Sequence, residues 1–211
     1  MTAFDQTQYI ETPFKDLTAP AETVEGVSFQ DCTFENCRLS EGTFRNCHFE
    51  NCTFTGCDLS LAKLPQTRFK NVSFKGCRLV GVNWCNAEWD RSSLLKTGRV
   101  RFDSCLLDHA LFIGLDLTRT SFKDCRMRGA DFESANLTRA DFRGADLAGA
   151  RFAGCDLTEA TFVGAQGYQI NAAYNTLHQT RFSLPEAVAL LHSLDIILED
   201  DSLGDENETH S

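Results

Sequence analysis

The sequence predicts an all-β solenoid with four sides per turn, and three observations predict it. The first is a period of five. From Phe29 to Leu94, and again from Phe102 to Phe162 after a slip of three residues, every fifth residue is Phe, Leu, Met or Trp, giving 27 apolar centres without a polar exception. An amphipathic helix repeats its apolar face about every 3.6 residues and a strand every 2. A period of five belongs instead to a coil in which each pentapeptide forms one side. The second observation is a longer period: Phe102, Phe122, Phe142 and Phe162 lie twenty residues apart, as do Leu117, Leu137 and Leu157, and Leu39, Leu59 and Leu79. Four pentapeptides thus close one turn, and like side chains stack on like. At the ~4.8 Å spacing of neighbouring strands the repeats make a rod roughly 32 Å long. The third observation is a small residue two places before each centre, with Leu115 the exception; nine of the ten cysteines occupy this slot, and only Cys85 lies off it. A narrow tube has room for one large and one small inward side chain per pentapeptide, and a free Cys packs as a small hydrophobe. Gly recurs two places after the centre, as at Gly56, Gly76, Gly129 and Gly144, where the chain turns a corner.

Residues 1–26 read as an N-terminal cap with a degenerate first coil, since Tyr9, Phe14 and Val24 fall on the five-residue grid. Such a segment shields the open end of the tube and its strand edge. Residues 27–165 are the repeat region, with a phase break at 95–101 that inserts three residues around Lys96–Arg99 as a small basic bulge. Residues 166–198 form a C-terminal cap. Tyr168–Arg181 reads as irregular; then Ser183 reads as an N-cap, with Pro185 in the first turn and Glu186 closing a capping box. Val188, Leu190, Leu191 and Leu194 give the helix an apolar face. Residues 199–211 carry six acids and no Lys or Arg, which predicts a disordered acidic tail.

The repeat carries a family resemblance. The run Ala130-Asp131-Phe132, Ala135-Asn136-Leu137, Ala140-Asp141-Phe142, Ala145-Asp146-Leu147 reads as A-(D/N)-(L/F)-x-x. It resembles the pentapeptide repeat family, whose fold is a right-handed quadrilateral β-helix. Beyond the repeat, the chain is similar to the gyrase-protecting group of that family: Qnr-type quinolone resistance proteins, the microcin B17 immunity protein and albicidin resistance proteins. The shared features are the length, a break near the midpoint, a Cys- and Phe-rich first half, and the run Arg181-Phe182-Ser183-Leu184-Pro185-Glu186-Ala187 leading to Leu191 and Ile196. The resemblance implies a protein that imitates duplex DNA, binds DNA gyrase or topoisomerase IV, and relieves the effect of a poison. It also implies a homodimer joined through the C-terminal ends, which would place Leu191, Leu194, Ile196, Ile197 and Leu198 in the join. Qnr-type members project a longer loop than the bulge expected here, so the smaller immunity proteins are the better match.

Composition narrows the function classes. Net charge is −10, but its distribution matters more: residues 1–98 hold 12 acids and 10 bases, residues 99–162 hold 10 and 9, and residues 163–211 hold 8 and 1. A chain so balanced does not carry the basic surface that direct nucleic-acid binding needs. No apolar stretch reaches the ~18 residues of a membrane span, and Met1–Thr12 does not read as a signal peptide. The cysteines fill a repeat slot shared with Ala, Val and Thr, so they read as reduced, buried thiols of a cytoplasmic protein.

No catalytic constellation is present: the sequence contains no G-x-S-x-G, no phosphate loop, no dinucleotide fingerprint and no H-E-x-x-H. Cys37, Cys57 and Cys77 stack in one column but lack the C-x2-C spacing and free loops of a zinc site. The expectation is a non-enzyme without cofactor or metal, acting through its outer surface. For a DNA mimic the acidic contact candidates are Asp116, Asp131, Glu133, Asp141, Asp146 and Asp156, with Lys96 and Arg99 on the bulge. The alternative is a non-catalytic interaction scaffold for a different partner. A basic band at Lys63, Arg68, Lys70, Lys75 and Arg78, and Trp84 and Trp89 at centre positions, leave that reading open.

Overall fold

The computed structural model describes residues 3–89 and 100–194. Its backbone is a parallel β-solenoid of about eight turns. Each pentapeptide supplies a strand of two or three residues or a single bridging residue, and nearly all pair in parallel with their equivalents one turn away. Four ladders result. Face 1 runs through Gln8, Ser28, His48, Arg68 and Glu88, and past the break through Asp116, Asn136, Asp156 and Thr176. Face 2 runs without interruption from Pro13 through Thr33, Thr53, Ser73, Arg101, Ser121, Asp141 and Thr161 to Arg181. Face 3 takes Thr18, Arg38, Asp58, Arg78, Leu106, Arg126, Asp146 and Gln166. Face 4 takes Thr23, Thr43, Lys63, Asn83, Leu111, Asp131, Arg151 and Gln169.

The centres point inward, and they stack. On face 2 the rings of Phe14, Phe34, Phe54, Phe74, Phe102, Phe122, Phe142, Phe162 and Phe182 form one column, with centroids 4.3–5.4 Å apart and near-parallel planes. Neighbouring columns meet it edge to face, as Phe29 does Phe34 at 5.6 Å and 66°. Offset stacks along the axis and T-shaped contacts across it are both favoured by the ring quadrupole. The column crosses the break unbroken: Phe74 and Phe102 lie 5.4 Å apart at 8°.

The register corrects the size of that break. Ser73 pairs with Arg101, eight residues beyond the partner that a twenty-residue turn would give it, so the insertion is eight residues long and not three. Leu94 continues the five-residue count, whereas Phe102 is the residue that stacks on Phe74. Residues 90–99, including Lys96 and Arg99, lie outside the described residues.

The corners explain the glycines and several other residues. The residue two after the centre has positive φ at Gly56, Gly76, Gly129 and Gly144, and equally at Asn36, Asn46, Asn51 and Asn71. Asn and Asp tolerate this left-handed conformation better than other non-glycine residues. At Gly144 a Cβ would come within 2.3 Å of the Asp124 carboxylate, so here close approach reinforces the conformational demand.

The ladder runs past residues 27–165 at both ends. At the start, Tyr9 already pairs with Phe29. Phe4, which lies on the same grid, is buried against Tyr9, Phe14, Phe29 and Phe44 and plugs the tube. At the other end Tyr168–Arg181 is a further coil: Gln169 pairs with Arg151, two residues short of the repeat, and Thr176 and Arg181 return to it. Ser183 is not a side-chain N-cap. Its Oγ accepts from the Gly164 N–H at 2.9 Å, and its carbonyl takes the Ala187 N–H. The following helix, Glu186–Leu194, is of 3-10 type and sits beside Gln169–Ile170. Of its apolar residues Leu190 packs on the core, whereas Val188, Leu191 and Leu194 are exposed.

Candidate functional surface

The interior is spent on packing. From Phe4 to Ile170 the inward residues form one buried cluster. Trp84 belongs to it, stacked on Phe112, and the half-buried Trp89 donates its indole N–H to the Trp84 carbonyl at 2.8 Å. Among the described residues no group of three or more His, Cys, Asp or Glu could hold a metal ion, and no helix is long and apolar enough to cross a membrane.

The cysteines do more than fill space. Cys57 Sγ donates to the Phe34 carbonyl and accepts from the Cys37 N–H, both at 3.3 Å. Cys125 stands in the same relation to Phe102 and Cys105, and Asn175 to Phe152 and Cys155. A side chain from the next coil thus bridges a turn whose amide and carbonyl do not bond each other. Burial and contacts of this kind hold the proton on Cys52, Cys77, Cys105 and Cys155. Burial lifts Cys52 to about 12 and Cys155 to about 11. Hydrogen bonding to Cys105 lifts Cys77, and hydrogen bonding to Cys125 lifts Cys105, each to about 12. They are therefore not nucleophiles at neutral pH. Cys85 is exposed, and partial burial raises its thiol as well.

The six acidic candidates do not share a face. Asp116 and Asp156 lie on face 1, Asp141 on face 2, Asp146 on face 3, and Asp131 and Glu133 on face 4. Four of them are spent on ion pairs between coils or within one. Asp131 and Glu133 share Arg151, each at 2.8 Å; Asp141 pairs with Arg143 at 2.6 Å and Lys123 at 3.5 Å; Asp146 pairs with Arg128 at 2.7 Å. Burial works against ionisation of Asp141, but hydrogen bonds from Arg143 outweigh it and hold the carboxyl below the usual range. Asp116 and Asp156 have no ion pair among the described residues. Each caps its own turn, accepting from Thr118 and Thr158 respectively. The Thr158 bonds hold Asp156 below the usual carboxylate range.

The basic band encircles the rod at one level instead of lining a side. Lys63 lies on face 4, Arg68 and Lys70 on face 1, Lys75 on face 2 and Arg78 on face 3. Arg68 pairs with Glu88, Lys70 with Glu50 at 2.6 Å, and Arg78 with Asp58 at 3.7 Å. The whole-half charge balance concealed a polarity near the N-terminal end. Residues 3–41 carry eight acids and two bases, while residues 42–98 carry four acids and eight bases. Counting charge per turn of the repeat would have found it. Of the dimerisation candidates Leu191 and Leu194 are exposed; Ile196, Ile197 and Leu198 lie outside the described residues, as does the acidic tail.

A tube filled by its own side chains, with mixed charge on every face, defines a parallel β-solenoid with a continuous core. A family model described as "Pentapeptide repeat region" matches residues 27–98 and 95–172, and the chain belongs to that family. Among solved structures it is similar to QnrB1, a plasmid-mediated fluoroquinolone resistance protein. One trypsin-treated form matches with TM-score 0.63 at 16% identity, covering 92% of this chain and 100% of the other. A second trypsin-treated form gives 0.62 at 18%, covering 91% and 97%. The full-length form gives 0.55 at 19%, covering 90% and 100%. At these identities the likeness is one of fold. No curated protein matches the sequence.

Proposed function

We propose that this chain is a non-enzymatic, DNA-mimicking protein of right-handed coil that binds DNA gyrase or topoisomerase IV and protects it from a poison. The observation that carries the reading is the likeness in fold to QnrB1 over nearly the full length of both chains. It extends past the repeats into the segment capped by Glu186–Leu194. Asp116 and Asp156 on face 1 are the contact candidates, because neither has an ion pair among the described residues. Lys96 and Arg99 on the eight-residue insertion are a second candidate contact. The exposed Leu191 and Leu194 fit a homodimer joined at the C-terminal end, with the helix closing the tube. The protein would then work in the cytoplasm, where its target is.

The ion pairing of Asp131, Glu133, Asp141 and Asp146 favours a second reading, an interaction scaffold for another partner, because it lowers the field a basic groove would recognise. A gyrase supercoiling and cleavage assay separates the two. Rescue of supercoiling against a quinolone, albicidin or microcin B17, lost on reversing Asp116 and Asp156 to Lys, is the expected result. No effect of the wild-type protein on gyrase or topoisomerase IV would leave the scaffold reading.

A further inference from the structure

Face 4 differs from the other three in one respect: its outward residues change character in an ordered sequence along the rod. After Thr23 and the exposed Glu25 of the first coil comes Arg45, exposed and without an ion pair among the described residues, beside Thr43. Lys63 and Pro65 follow one coil on. Cys85 comes next, exposed, its Sγ resting 3.5 Å from the Ile113 carbonyl. The half-buried Leu111 and Ile113, 41% exposed, continue the strip. Asp131 and Glu133 follow, two carboxylates sharing the single guanidinium of Arg151. The centre is apolar, one flank has a cation to spare, and the other has an anion to spare.

This order is self-complementary under a two-fold rotation. Place the axis along the strand direction at the coil of Cys85, so that a second copy lies antiparallel, face 4 against face 4. Cys85 then meets Cys85. Pro65 lies opposite Ile113, and the Lys63 stem lies over Leu111. Arg45 lies opposite Glu133 and Thr43 opposite Asp131, and each contact occurs twice, as an isologous interface requires. The geometry points to face 4 as a self-association surface, on which two copies pair side by side and antiparallel about Cys85. The surface is separate from the C-terminal end and from Asp116 and Asp156 on face 1.

Cys85 makes the test direct, because the other nine cysteines are buried. Full-length protein is treated with a short bismaleimide, and covalent dimer is read on a denaturing gel. Wild type should give a dimer and Cys85→Ser none. Arg45→Glu should cut the yield at low protein concentration by about tenfold, the effect of losing ~1.4 kcal/mol. Combining Arg45→Glu with Glu133→Arg should restore it, since the Asp131–Arg151 pair is left in place. Circular dichroism checks that each variant keeps the fold. A wild-type yield that Arg45→Glu does not change would overturn the proposal. So would an equilibrium dimer, seen by sedimentation, that shows no Cys85 cross-link.

Discussion

The two halves of this rod use the same cross-section and close their turns differently. Between Gln8 and Lys75 the Phe-, Tyr- and Val-centred pentapeptides form three-residue strands, and their turns stay open. The thiol of a cysteine in the next coil then fills the opening, as Cys52 does for Phe29 and Cys77 for Phe54. Between Leu106 and Ala165 nearly every pentapeptide closes its own turn. The N–H of Ala130 bonds the Met127 carbonyl at 3.1 Å, that of Ala135 the Phe132 carbonyl at 2.9 Å, and that of Ala140 the Leu137 carbonyl at 2.9 Å. A closed turn needs no bridging side chain, and alanine suffices. Eight of the nine inward cysteines thus donate into an open turn, Cys155 being the exception. Thr67 makes the point without sulfur: its Oγ1 donates to the Phe44 carbonyl.

The largest expected effect tests what the halves share. Phe54 and Phe132 are both fully buried and stacked above and below. Truncating either to Ala should cost about 3–5 kcal/mol, the range for deleting a buried aromatic. Denaturant unfolding should give similar losses at both sites. A much smaller loss in one half would mean that the column is not a common core.

Alkaline pH should separate the halves. The folded state holds Cys52, Cys77 and Cys105 protonated up to about 12. Unfolded thiols release their protons near 8.5. The folded state thus binds more protons across this window, and the stability is fully present below about 8.5 and lost as pH rises towards 12. Melting temperature should fall progressively above pH 9, and amide exchange should open residues 28–105 before residues 126–165. Loss of protection in the opposite order would contradict the assignment of the thiols as neutral donors.

This division shows what was legible in the sequence and what was not. The period of five and its twenty-residue overtone specify coil, faces and inward residues, because a tube has a single inside and every centre must be apolar. The insertion counts as three residues in the sequence and eight in the fold, because Leu94 satisfies the pentapeptide count and only strand pairing reveals that Phe102 stacks on Phe74. Tyr168–Arg181 hid its coil because Asn175 occupies the slot where Cys or Ala is usual, although an amide bridges Cys155 N–H and the Phe152 carbonyl as a thiol would. The acidic candidates were legible as a composition but not as a surface. Whether Asp141 is free depends on Arg143 and Lys123, and the repeat leaves such outward positions unconstrained.

Single thiols give the next test, one step down in size. Cys57→Ala strands the Cys37 N–H and removes a donor from Phe34, which should cost about 1–3 kcal/mol. Cys57→Thr should recover part of the loss, since Thr67 fills the same role. Cys155→Ala should cost less than about 1 kcal/mol, because the Phe132 carbonyl that Cys155 bonds already accepts from Ala135. Equal losses at Cys57 and Cys155 would return the cysteines to simple space-filling.

The smallest effect has the opposite sign. Val72 occupies the slot one coil above Phe49 and Cys52, where the open turns of Phe29, Phe44 and Phe54 receive Cys or Thr. It is buried and brings two methyl groups to a place that accepts a donor elsewhere. Val72→Thr keeps the shape and adds one hydroxyl. In an ordinary core site that exchange is destabilising, because the hydroxyl loses water and gains nothing. Here the hydroxyl meets the Phe49 carbonyl as Thr67 meets that of Phe44. The expected outcome is a gain of about 0.5–1.5 kcal/mol in chemical denaturation, the net value of one buried hydrogen bond. A loss of about 1 kcal/mol or more would show that Phe49 has no acceptor to offer, and that the open turns do not all need a bridge.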